Sequence, residues 1–450
     1  MPATAAAPVE LLRAPLFHTP ANPFHDPRAL VCHEDGALLI RNGAIAASGD
    51  FPAVRAAHPD VRVTDWRDGF VLPGFVDTHV HFPQLRILGG LGRTLLDWLE
   101  HVALPEEARM ADVAYATGTA QRFVRALASH GTTTALVFGS HFSPATAALF
   151  DAAGAAGLRV ISGLVVSDRY LRPELHQSPE DAHRDSTELV RRYHGRGRLL
   201  YAVTPRFALS ASEPMLEMCG SLLAEHDGLR VQTHINESRA EIAEVPRLFP
   251  WAADYLAVYE RFGLTGSRTV LAHDVFPTDS ELARLAADDT SVAHCPSSNA
   301  ALGNGIFPLR RHVDAGVRVA LGTDVGGGTG FGMLKEGLQA HLMQRIAEPA
   351  GLNLDPARLC YLVTRAGAEA VGLGDEIGDF SPGKAADLVY VRPPSGSPLA
   401  EVLSRSQSMV ESLAAIFTLG GPESVREVRV AGDVVHRAPL EPGAGSREPA

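Results

Sequence analysis

Short apolar runs alternate with longer amphipathic stretches through the middle of the chain. The runs Gly74–His81, Thr132–Gly139, Arg159–Val166, Leu199–Arg206, Arg230–Asn236, Thr269–Asp274, Ser291–Cys295 and Val317–Asp324 are rich in Val, Ile, Leu and Thr. Near-continuous apolar character of this length predicts parallel strands buried on both faces. Helix-like segments fall between them: Ala111–His130, Pro144–Ala156, Pro179–Tyr193, Glu213–His226, Asp279–Ala287 and Pro308–Ala315. Strands and helices in this alternation predict an α/β chain with a (β/α)8 TIM barrel. An open doubly wound sheet is the competitor, but it usually carries a Gly-rich phosphate fingerprint after its first strand. Here that strand ends His79-Val80-His81 instead.

The two ends have a different texture. Ala29 to Val71 gives short β-like runs broken by Asn-Gly and Asp-Gly turn signals, and the same pattern returns at Ala386–Val391 and Val425–Val435. The expected organisation is a barrel at 71–375 and a small β-sandwich domain built from both termini, residues 1–70 and 376–440. The Pro/Gly/Ser-rich segment 441–450 is expected to be a flexible tail.

Composition then narrows the classes of function. With 46% hydrophobic and 20% charged residues in 450, global disorder is excluded. A net charge of −12 argues against a nucleic-acid binder, which needs a basic face. No apolar run is long enough to span a bilayer, and Met1 to Glu10 carries no basic residue ahead of an apolar stretch. Cys32, Cys219, Cys295 and Cys360 are scattered, which favours reduced thiols and a cytoplasmic location.

In a barrel, functional groups gather at the C-terminal ends of strands. The proposed strands end in Asp77-Thr-His79-Val-His81, His234-Ile-Asn-Glu237, His273-Asp274 and Gly322-Thr-Asp324. Period-2 alternation puts His79 and His81 on one side of their strand. Any one of these taken singly reads as a hydrogen-bonded rim residue, or, for Asp324, as a cap on the Gly-rich turn that follows. Together, each at the same end of its strand, they read as a nitrogen and oxygen ligand set for zinc or iron(II) with a position left for water. A two-metal barrel of this kind needs a bridging carbamylated lysine, and the only lysines are Lys335 and Lys384, past every candidate strand. One metal per chain is therefore expected. Such a site activates water by lowering its pKa to about 7. Asp324 would take the water proton, Glu237 would shuttle a proton to the substrate, and His273 would orient the water or stabilise negative charge. The reaction class is hydrolysis at an sp2 carbon.

Pro73-Gly-Phe-Val-Asp-Thr-His-Val-His81 resembles the first-strand signature of the amidohydrolase superfamily, continued in order by His234 to Glu237, His273 and Gly322-Thr-Asp324. Gly378-Asp-Phe-Ser-Pro-Gly-Lys-Ala-Ala-Asp-Leu-Val389 is also similar to that family, and the coverage runs from about Val71 to Val391. Within the superfamily, several stretches resemble the guanine deaminase branch: His79 to Gln84, Leu95 to Glu100 leading to Pro105–Arg109, Thr204–Phe207, Thr233–Arg239, His294–Asn299 and Gly322–Thr329. The resemblance implies zinc on His79, His81, His234 and Asp324, with His273 beside the water and Glu237 and Asp324 handling protons. It implies substrate contacts from Gln84, Arg206, Phe207, His234 and Glu237, and a homodimer acting in purine catabolism. Its implied reaction is attack of water on C2 of guanine, leaving xanthine and ammonia. Physically, a flat purine needs a stacking face, which Phe207 can supply. It also needs edge partners, which Arg206 and Gln84 can supply. A neighbouring amidohydrolase acting on 8-oxoguanine or a triazine is a second reading, and an inactive metal-binding scaffold a third. Phe82 stands where many relatives carry Tyr, and 237–262 reads as a helical insertion that either covers the mouth or simply packs.

Overall fold

Among residues 9–439, which the computed structural model describes, eight parallel strands follow one another around a barrel. They are β1 (Phe75–His81), β2 (Thr132–Phe138), β3 (Arg159–Gly163), β4 (Leu199–Pro205), β5 (Arg230–Ile235), β6 (Thr269–His273), β7 (Ser291–His294) and β8 (Val319–Leu321). Each pairs with its sequence neighbour. Every residue of β1, β2 and β3 is buried, as expected of parallel strands covered on both faces. The intervening helices start where their caps dictate. Asp112 accepts from Ala114 and Tyr115 N–H ahead of Val113–Ser129, and Thr278 with Glu281 forms a capping box ahead of Asp279–Ala287.

The barrel closes where β8 meets β1. His81 N–H donates to Val325 O at 2.9 Å, and Asp324 N–H donates to His79 O at 2.8 Å. Thr323 N–H donates to Asp77 Oδ1 at 3.0 Å, and Thr78 Oγ1 donates to Leu321 O at 2.9 Å. Gly322 permits this approach: a Cβ there would lie 2.7 Å from His79 Cβ and 2.9 Å from His79 N. Gly322→Ala is therefore expected to cost about 2 kcal/mol or more through overpacking. It should also disturb His79 and Asp324 together. A lower thermal midpoint with reduced metal content would bear this out, and a wild-type melt would show that the seam tolerates a methyl group.

Strands from both termini make a second sheet. Its order is Asp433–Arg437, Val425–Val430, Leu388–Val391, Phe70–Pro73, Val9–His18, Val31–Arg41 and Ala44–Asp50, with Val63–Asp65 paired to Val9–His18. The two halves of the chain meet at the antiparallel pair Phe70–Pro73 and Leu388–Val391. Apolar clusters lie against it, one with Leu12, Leu38 and Leu388, another with Leu11, Leu39 and Val54. The strand Val9–His18 is absent from the sequence reading. Pro15 breaks its pattern, and the structure places Pro15 at a register shift between Ala14 and Leu16, where proline's missing N–H does no harm. The expected tail, 441–450, lies outside the described residues. No described helix is long and apolar enough to cross a membrane.

Candidate active site

Period-2 alternation on β1 brings His79 and His81 to one face, and β5 delivers His234 opposite them. Nε2 of His79 and of His81 are 3.2 Å apart, and Nε2 of His234 is 3.3 Å from Nε2 of His81. Asp324 Oδ1, just past β8, lies 3.3 Å from His79 Nε2 and 3.2 Å from His81 Nε2. Four ligand atoms placed about 2.1 Å from one tetrahedral centre stand about 3.4 Å apart. The donor set thus fits a metal ion, and it carries nitrogen and carboxylate oxygen only. Phe138 forms the floor, with its ring centroid 4.6 Å from those of His81 and His234.

Outer contacts set the ring orientations. His234 Nδ1–H donates to Arg206 O at 2.6 Å, which turns the Nε2 lone pair inward. Tyr259 Oη–H donates to His234 O at 2.7 Å, from the helix Tyr255–Arg261. His273 Nδ1–H donates to Asn299 Oδ1 at 3.0 Å, leaving its Nε2 facing Glu237 Oε2 at 3.5 Å and Asp324 Oδ2 at 3.9 Å. Burial drives the His79 and His234 imidazoles toward the neutral form and His273 down to about 4. Asp324 behaves oppositely. Burial works to raise it, but the contacts from His79 and His81 outweigh that and hold it well below the usual carboxylate range.

Backbone strain is concentrated here. Asn236, His273, Asp274 and Asp324 all adopt positive φ, at 50°, 77°, 43° and 47°. Such conformations cost roughly 1–3 kcal/mol each and persist where surroundings over-determine them. A buried network does so: Asn236 Nδ2 donates to Asp274 Oδ1 at 2.9 Å, and His312 Nε2 is 2.9 Å from Asp274 Oδ2.

Glu237 lines a pocket that it shares with His81, His234, His273 and Asp324. Its Oε1 accepts from Asn304 Nδ2 at 2.9 Å. Burial, then the nearby carboxylates of Glu241 and Asp324, push its carboxyl well above the usual range, toward the protonated form. Gln84, Arg206 and Phe207 line the same pocket, as do Leu95, Trp98, Leu99 and Leu302. Every candidate site residue is therefore gathered at one end of the barrel.

The same wall contains residues that sequence reasoning did not assign. Glu107 accepts from Gln84 Nε2 at 2.7 Å and from Arg206 Nη1 at 2.8 and 2.7 Å. Gly326 N–H donates to Gln84 Oε1 at 2.9 Å, so the Gln84 amide keeps one N–H and one lone pair for a ligand. Asn299 and Asn304 are equally new. Glu107 and Asn299 lie inside stretches singled out by resemblance, at Pro105–Arg109 and His294–Asn299, but nothing local marks their partners. The 237–262 segment packs rather than covers. Tyr255 Oη donates to Glu241 Oε1 at 2.5 Å, and Glu241 Oε2 accepts from Glu237 N–H at 3.1 Å. The apolar cover comes instead from Leu95, Trp98 and Leu99. Phe82 is a core residue, fully buried against Phe123 at 5.9 Å between centroids.

Known proteins resemble this chain in sequence and in fold. The amidohydrolase family matches residues 70–435. A probable guanine deaminase of Deinococcus radiodurans is 56% identical over 95% of this chain and 98% of its own length. The guanine deaminase of Escherichia coli is 40% identical over 92% of this chain and 94% of its own. Among solved structures, the Escherichia coli guanine deaminase superposes with a TM-score of 0.91 at 37% identity, covering 96% of this chain and 100% of that one. A guanine deaminase from C. acetobutylicum with guanine bound in its active site superposes at 0.87 with 25% identity, over 95% and 100% of the two chains. The chain belongs to the amidohydrolase family and, within it, groups with the guanine deaminases.

Proposed function

We propose that this protein deaminates guanine hydrolytically to xanthine and ammonia, using one zinc ion per chain held by His79, His81, His234 and Asp324. The observation that carries the reading is a single pocket that joins three of these ligands, His81, His234 and Asp324, to Glu237 and to the Gln84, Arg206 and Phe207 wall. When bound, the metal supplies the Lewis acidity that makes water nucleophilic near neutral pH. The chain's own groups do the rest. Phe207 offers its ring face to the purine. Arg206 Nη1 is tied to Glu107, which leaves Nη2 to donate to the exocyclic carbonyl oxygen. Gln84 spends its remaining N–H and lone pair on the ring edge, and His234 and Glu237 border the base.

Water adds its oxygen to C2 while Asp324 accepts its proton. Glu237, protonated on the oxygen not engaged by Asn304, gives its proton to the adjacent ring nitrogen. The C2–N bond then breaks: the amine leaves as ammonia with the proton Asp324 returns, while the remaining hydroxyl proton passes to Glu237, which restores its protonated form and leaves the C2 carbonyl. His273 presents Nε2 as an acceptor, because its Nδ1–H is spent on Asn299. That geometry supports the role of orienting water over that of stabilising an anion.

The same reading takes residues 71–375 as the catalytic barrel and 1–70 with 376–440 as the β-sandwich domain of a cytoplasmic homodimer in purine catabolism. Purified, zinc-loaded protein should convert guanine to xanthine with release of ammonia. No turnover by metal-loaded protein would overturn the assignment. Arg206→Ala should lower kcat/KM for guanine by about a hundredfold or more, since it removes an edge donor and leaves Glu107 buried without its cation. An unaffected rate would remove Arg206 from substrate recognition.

A further inference from the structure

One buried carboxylate stands behind the pocket lining, held to Gln84 and Arg206. Glu107 is 2% exposed, and both its oxygens accept from Arg206 Nη1, which is itself on a residue 3% exposed. Oε1 also accepts from Gln84, and Oε2 lies 3.5 Å from His141 Nδ1. Burial pushes the Glu107 carboxyl up, but the Arg206 guanidinium, with the Gln84 hydrogen bond, outweighs it and holds the group below its usual range. Burial drives His141 down to about 3, so it adds no charge to this wall. Glu107 and Arg206 thus form an ionised pair in which the positive charge is cancelled while the Nη2 edge of the guanidinium stays open as a donor.

A brace alone would not need this charge. An amide could hold Arg206 and Gln84 in place. What the carboxylate adds is neutrality in a dry pocket, where an uncompensated guanidinium would attract any anion strongly. That matters for the reaction above, on which this inference rests. Deamination replaces an amino group by a carbonyl and gives a dione that is more acidic than its substrate. A bare cation in the wall would hold the ionised product.

We propose that Glu107, acting through Arg206, is the positioning residue that makes the pocket select a neutral base and release its more acidic product. It cancels the charge of the guanidinium without removing its donor. The other titratable groups around Arg206 are Glu237 and the ligand histidines His79 and His234, and His81 faces Glu107.

The test compares inhibition by xanthine with inhibition by hypoxanthine, a 6-oxopurine bare at C2, at a mildly alkaline pH where part of the xanthine is anionic. In Glu107→Gln, xanthine should tighten by about tenfold or more relative to hypoxanthine. Product release should then limit kcat while KM does not rise. Glu107→Asp should return the ratio toward wild type. In Arg206→Met no such tightening should appear, because the guanidinium is gone and burial then favours a protonated, neutral Glu107. In the double variant Glu107→Gln, Arg206→Met the ratio should return to wild type with both inhibitors weaker. Equal movement of both inhibitors in Glu107→Gln overturns the proposal, and so does a xanthine preference that persists in the double variant. If Glu107→Gln does not fold with metal, Arg206→Met and the double variant decide by the same ratio. Guanine turnover by the wild type tests the underlying reading separately, so its failure is distinguishable from an unmoved inhibitor ratio.

Discussion

Glu237→Gln is expected to leave the fold and the metal content intact and to lower kcat on guanine by roughly three orders of magnitude. The substitution is nearly isosteric. Its amide oxygen can still accept from Asn304, whose Nδ2 is 2.9 Å from Glu237 Oε1 in the native site. What is lost is the transferable proton. Glu237 holds that proton because burial and the neighbouring Glu241 and Asp324 carboxylates disfavour its charged form. An amide in the same place cannot give a proton to a ring nitrogen as C2 becomes tetrahedral. Substrate affinity should change less than kcat, because Gln84, Arg206 and Phe207 remain in the pocket to hold the base. Steady-state kinetics with metal analysis on the same sample checks this. A variant with normal metal and normal kcat would take Glu237 out of the mechanism.

Much of the site was legible because a barrel converts a linear code into a place. His79, His81, His234, His273 and Asp324 each stand at the C-terminal end of an apolar run, and closing the barrel puts all those ends on one rim. The strand limits were readable for the same reason: β1, β2 and β5 are bounded within a residue of the apolar runs that predicted them. Glu107 was illegible in its role because its partners, Gln84 and Arg206, are remote in sequence and meet it only when Leu104–Ala108 packs over the rim. Asn299 and Asn304 have the same character. An amide that orients a catalytic group carries no periodicity and no spacing rule. Val9–His18 was missed for a local reason, since Pro15 at a bulge mimics the end of a strand. What resisted reading was thus the supporting shell, whose members are fixed by tertiary neighbours rather than by strand or helix period.

His81→Ala is expected to abolish metal-dependent activity, to below about one-thousandth of wild type, and to uncouple stability from zinc. His81 is the hub of the cluster: its Nε2 lies within 3.3 Å of His79 Nε2, His234 Nε2 and Asp324 Oδ1 alike. Removing it leaves His79, His234 and Asp324 one donor short of the tetrahedral set. The stability consequence follows from the same geometry. Burial keeps the His79 and His234 imidazoles toward the neutral form, so lone pairs face one another in a space from which water is largely excluded. A cation that binds only the folded chain should then stabilise it by about 4 kcal/mol at a thousandfold excess over its Kd. Chelation of the wild type should lower its thermal midpoint, and zinc should restore it together with turnover. In His81→Ala neither chelator nor zinc should move the midpoint by more than a small fraction of that shift. The two readouts separate two failures. A variant whose midpoint still follows zinc would keep the metal elsewhere, and a variant that keeps turnover would show that the ion held at His81 is not the one that prepares water for attack.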